Sequence, residues 1–151
     1  MARKNGKKDK ALIANPVSAL PAETKKGVLV VALVTTGLFL VLAAFGIAGD
    51  AGGEAYTFFY HLLGVGYFLL PALFFVLAGS ALRPEVATFT PFKIIASVAF
   101  VAAGLGFMSL VLQGGGLVGA MIADPLINLF DIYVSVLILG GVALMSLLVI
   151  L

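Results

Sequence analysis

The residues best equipped for chemistry in this 151-residue sequence are few, and they lie outside its long apolar runs. His61 is the single histidine, and at helical spacing it shares a face with Thr57 and Glu54, four and seven residues before it. An imidazole titrates near neutral pH, so this group could hand on a proton. A proton path would need a second ionisable residue inside a membrane-crossing segment, and no Asp, Glu, Lys or Arg lies between the ends of the apolar runs. His61 therefore reads as a polar residue facing water or headgroups. The two G-x-x-x-G segments, Gly49 to Gly53 and Gly115 to Gly119, are spaced like phosphate loops, but neither is followed by the Lys and Ser/Thr that such a loop requires. They read as turns. No Ser, His and Asp constellation, H-E-x-x-H pattern or paired carboxylates occur, so neither a catalytic site nor a metal or cofactor site is expected. With no cysteine, a disulfide framework or thiolate metal site is impossible.

The elements that would hold these residues are dictated by apolarity. Hydrophobic residues make up 62% of the chain and charged ones 11%, far from the balance of a water-soluble domain. The apolar residues come in long blocks rather than alternating, which points to spanning helices with internally closed backbone hydrogen bonds and not to a β-barrel. The fold class expected is all-α, a polytopic membrane protein with four transmembrane helices. Residues 1–26 form a basic arm, with a short helical start after Pro21, and 27–151 form the membrane domain. Spans are predicted at about 27–48, 64–82, 93–112 and 133–151. The first has no charge over 22 residues, too long for the core of a cleaved signal peptide, so it reads as an uncleaved anchor. Pro84 and Pro91 mark the turn between the second and third spans, and Asp124 and Pro125 interrupt the approach to the fourth.

Charge sets the orientation. Seven of the nine basic residues, Arg3, Lys4, Lys7, Lys8, Lys10, Lys25 and Lys26, lie in the arm, and Arg83 and Lys93 flank the turn between the second and third spans. The two glycine-rich links carry none, so both termini are predicted to be cytoplasmic and the links external. The arm's charge suits anionic lipid and topology control better than nucleic acid, so membrane lipids are expected partners and direct contact with DNA is not.

A shift of 66 residues places Gly49 on Gly115, Gly53 on Gly119, Leu63 on Leu129, Tyr67 on Tyr133 and Ser80 on Ser146. Each half then holds two spans in the same orientation, an external glycine link and an interfacial helix, as in a parallel repeat. By that layout residues 54–63 lie outside the membrane core and the second span begins at Gly64. Asp124, Asn128 and Asp131, at i, i+4 and i+7, form the wet face of the equivalent helix. Pro71 frees the carbonyl of Tyr67 and predicts a kink. Ala96, Ala99, Ala103 and Gly106 form a small-residue stripe on the third span, and Gly140 and Gly141 lie in the fourth, where backbones can approach within the bundle or between copies.

Leu20-Pro21-Ala22-Glu23-Thr24, the link Gly49 to Gly53, Leu-Leu-Gly-Val-Gly-Tyr-Phe-Leu-Leu-Pro at 62–71 and Gly-Gly-Gly-Leu-Val-Gly at 114–119 together resemble the N-terminal membrane domain of FtsK/SpoIIIE-type DNA translocases. The resemblance covers residues 18–151. It implies an inner-membrane anchor at the division septum that associates with other copies and with division proteins and is joined to a cytoplasmic ATPase motor that pumps DNA. The sequence carries no Walker motif, so it would be the anchor alone, either a domain of a longer protein or a homologue beside a separate motor. A small passive transporter or channel subunit, or a membrane structural protein, are the competing readings; the uncharged spans speak against ion coupling.

Overall fold

A computed structural model describes residues 21–83 and 90–151, so Arg3, Lys4, Lys7, Lys8, Lys10, Pro84 and Glu85 lie outside the described residues. All regular structure among the described residues is helical. The order is α1 (Ala22–Ala44), α2 (Gly49–Leu63), a 3₁₀ segment (Gly64–Phe68), α3 (Leu69–Leu82), α4 (Pro91–Leu112) and α5 (Gly116–Ile150). α1, the composite Gly49–Leu82, α4 and α5 are each long and apolar enough to cross a membrane.

Pro21 precedes the first turn of α1, and the helix runs through Lys25 and Lys26 without interruption. The basic residues next to the first span are thus the start of the span's own helix, which ends at Ala44, four residues before the predicted limit of 48. Its end is a Schellman turn: Gly46, at φ 72°, donates to the Ala43 carbonyl, and Ile47 donates to that of Leu42. α4 starts on Pro91, whose missing N–H costs nothing in a first turn, after Thr90 in extended conformation.

The composite α2–α3 breaks at Gly64, at φ 57° and ψ −138°, and resumes through the 3₁₀ turn. That is the predicted start of the second span. Pro71 falls in the first turn of α3, where its missing N–H breaks no bond within that helix, and the residue with non-helical φ and ψ between α2 and α3 is Gly64. In α5 the interruption also lies away from the predicted place. The helix continues through Pro125 and breaks at Asp131, at φ 64° and ψ 167°, giving a short helix 116–130 and a membrane-length one from 132 to 150.

α1 packs on α3, and α4 packs on α5 along most of its length. Ala103 and Leu110 of α4 meet Ala123 and Leu139 of α5, with Phe107, Ile122 and Leu126 around them. Leu73, Ala96 and Ile150 join α3, α4 and α5 nearer the other end. Apolar area gives little net drive between helices in lipid, so close backbone approach must supply the contact energy. The glycines and alanines show it. A Cβ on Gly106 would press on Ile122 and Leu139, each within 2.9 Å, and one on Gly37 would press on Phe75 at 3.2 Å. Ala96, Ala103 and Gly106 are buried and Ala99 half-buried, so the predicted stripe serves packing inside this chain. Gly140 lies against Phe107, whereas nothing lies near Gly141.

Candidate functional site

The polar and backbone-strained features gather at the two ends of the bundle. At one end the break at Gly64 meets the link that starts α5. The Val65 N–H donates to the Gly114 carbonyl at 2.7 Å. A Cβ on Gly64 would collide with that same carbonyl, and one on Gly116 would collide with the Leu62 carbonyl. Gly115 and Gly119 leave no room for a Cβ beside the Leu105 carbonyl and Ser109. Gly64 and Gly116 also have φ of 57° and 62°, which side chains rarely tolerate. Only glycine permits this joint, because two backbone segments touch where side chains would otherwise separate them.

Tyr67, fully buried one turn past the break, anchors the joint to α1 by donating its hydroxyl to the Leu40 carbonyl at 2.8 Å. Tyr56 and Phe68 pack edge-on to its ring, at centroid distances of 4.9 and 5.8 Å. A phenol buried among aromatics needs such an acceptor, and the helix carbonyl supplies it.

The matching features elsewhere are open. Among the described residues six have positive φ, and they pair as Gly46 with Gln113, Gly49 with Gly116 and Gly64 with Asp131, each pair 67 residues apart. The spacing is one residue more than the 66-residue shift that aligns the sequence. Residues paired at 66 differ in surroundings: Tyr67 is buried while Tyr133 is 83% exposed, and Gly53 has open space where Gly119 has none. At 67, buried Gly52 falls on buried Gly119. Gly46 and Gly49 have nothing within reach of a Cβ, and at Asp131 the side chain itself satisfies the next amide, Oδ1 accepting from the Ile132 N–H at 2.7 Å.

At the opposite end stand the basic residues. Lys93, only 7% exposed, donates from Nζ to the Ser80 hydroxyl at 2.6 Å. Arg83 donates from Nη1 to the Leu151 carbonyl at 2.9 Å. Both cations sit at the C-terminal ends of α3 and α5, where the helix dipoles are negative. Lys26 faces Arg83 across a cavity that Glu23, Val30 and Leu82 also line. The sequence places Lys93 at the edge of the turn; its burial depends on Ser80, thirteen residues away, and no pattern within α4 announces that pairing.

His61, Glu54 and Thr57 are exposed, and the Thr57 hydroxyl donates to the Gly53 carbonyl. Asp124, Asn128 and Asp131 are all exposed, but so are Met121 and Leu129, so that helix is less one-sided than its sequence suggests. Among the described residues no three His, Asp or Glu side chains converge as metal ligands would. No known protein family, curated protein or solved structure matches this chain.

Proposed function

We propose that this chain is a non-enzymatic membrane anchor and self-association domain of the kind that carries FtsK/SpoIIIE-type DNA translocases at the division septum. One observation supports the reading above others. The segments 62–71 and 114–119, which carry the resemblance and lie some fifty residues apart, touch each other through Gly64, Val65, Gly114 and Gly116. Their glycines thus belong to one device, a rigid joint between two helix pairs, and rigid mounting is what an anchor under load requires. The paired positive-φ residues support a duplicated helix pair, with both copies crossing the membrane in the same sense. With the basic end on the cytoplasmic side, α5 delivers its C-terminal end to the compartment where a motor and DNA would be.

The test is localisation together with assembly state. A fluorescent fusion in dividing bacterial cells is expected to concentrate at the septum, and the protein in mild detergent is expected to migrate above monomer size on blue-native gels. Uniform membrane fluorescence with a monomer only would contradict the proposal. Solute flux through liposomes that depends on His61 or Pro71 would replace it with the transporter reading.

A further inference from the structure

At the basic end of the bundle the seam between α1 and α3 is open. Gly27 of α1 and Ala81 of α3 border it with almost no side chain, and a Cβ on Gly27 would meet nothing within 4 Å. The result is a cavity of about 340 Å³, at the lower end of the range of small-molecule sites. Glu23, Lys26 and Val30 line it from one face of α1, and Leu82 and Arg83 line it from the end of α3. Its walls thus carry two cations and one carboxylate, a net positive charge of one.

Depth in the membrane orders these groups. At a rise of about 1.5 Å per residue, Glu23 and Val30 stand about 10 Å apart along α1. The polar layer of one leaflet, taken as half the difference between a bilayer with and without its headgroups, is roughly 5–8 Å thick. With the basic residues at headgroup level, Glu23 lies on the water side of that layer, Lys26 and Arg83 lie within it, and Val30 and the exposed Leu82 lie at the hydrocarbon boundary. Arg83 spends one N–H on the Leu151 carbonyl, and a guanidinium has five, so it can hold a phosphate oxygen without leaving α5.

We infer that this cavity binds the headgroup of one anionic phospholipid, with its phosphodiester between Lys26 and Arg83. The single negative charge of a phosphodiester balances the walls, and Glu23 accepts hydrogen bonds from the hydroxyls of a glycerol headgroup. The acyl chains leave past Val30 and Leu82. A free phosphate or a nucleic-acid backbone would use the two cations but would leave those two apolar side chains uncovered, which is why the occupant is a lipid. By filling a seam that side chains leave open, the lipid ties the start of α1 to the end of α3. This site needs the shape of the cavity as well as its charge, and in that it differs from the attraction of the basic arm to a lipid surface.

Native mass spectrometry of the full chain, released from detergent after incubation with phosphatidylglycerol, phosphatidylethanolamine or phosphatidylcholine, counts the lipids retained. One phosphatidylglycerol per chain is expected, with the other two bound about tenfold more weakly, the worth of one charge-assisted hydrogen bond. Lys26→Gln and Arg83→Gln are each expected to weaken retention by a similar factor of about ten, and Arg83→Lys by less. Gly27→Leu fills the cavity without altering any charge and is expected to abolish retention, whereas Lys7→Gln with Lys8→Gln, in the arm, should leave it unchanged. Circular dichroism shows which variants keep their helices. A helical Gly27→Leu variant that retains the lipid as the parent does would overturn the inference, as would a loss in the arm variant equal to that in Lys26→Gln. If Gly27→Leu does not fold, unchanged retention by Lys26→Gln combined with Arg83→Gln overturns it instead. Equal retention of phosphatidylethanolamine would overturn the anionic headgroup, and equal retention of all three lipids, or of none, would overturn the site.

Discussion

At Gly64 and at Asp131 the chain makes a similar left-handed step between a short helix and a membrane-length one, but the surroundings differ at every level. The first step is pressed against another backbone and tied to α1 through Tyr67; the second is exposed and satisfied by its own side chain. The lesson concerns what each residue type can do at such a step. Glycine allows close approach and leaves its neighbour's N–H for a distant acceptor. Aspartate here holds a backbone region that favours glycine, and its short carboxylate satisfies the next amide locally.

The sharpest way to break this comparison is to place alanine at each step. Gly64→Ala must accommodate both a forbidden backbone region and a collision with Gly114, and is expected to cost about 3 kcal/mol or more. Asp131→Ala loses one exposed local hydrogen bond and should cost about 1 kcal/mol. Reversible unfolding in mixed micelles measures both, and equal losses would erase the distinction. The links give a second contrast. Gly115→Ala, facing the Leu105 carbonyl at an ordinary φ of −74°, should cost about 1–3 kcal/mol through steric displacement alone. Gly53→Ala, in a helix with open space around it, should be neutral or stabilise by up to about 1 kcal/mol through helix propensity. A loss at Gly53 as large as that at Gly115 would mean that the first link is also packed. The tyrosines give the smallest contrast. Tyr67→Phe removes the bond to Leu40 and is expected to cost about 1–2 kcal/mol, while Tyr133→Phe should change stability by less than about 0.5 kcal/mol.

Much of this architecture was legible in the sequence because apolar length and charge position act locally. The four apolar helices follow from block lengths, and the helix break at Gly64 falls where the comparison of halves puts the start of the second span. The place of the fourth helix's break did not. Asp124-Pro125 looks like an interruption, yet the cost of a proline in a helix, one lost hydrogen bond and a crowded carbonyl four residues back, can be offset by tertiary packing, whereas Asp131 gives no sign that it will adopt positive φ. The matching letters and the recurring backbone conformation are offset by one residue for a related reason. Matching letters aligned Gly49 with Gly115, but the property that recurs is backbone conformation, which Gly116 and even Gln113 supply. The candidate joint was visible only as two glycine-rich segments. That they touch depends on how the helix pairs pack, and no periodicity reports that. Lys93 was hidden in the same way, since a lysine near a helix start looks exposed until Ser80 is brought to it.

The central claim is that the first break is locked by the second link while the second break is free. Amide hydrogen exchange of the protein in lipid nanodiscs tests it at two residues, Val65 and Ile132. The account predicts that Val65, bonded to Gly114 inside the joint, exchanges about 100-fold more slowly than Ile132, bonded only to an exposed side chain. Equal exchange at the two amides, or faster exchange at Val65, would contradict it.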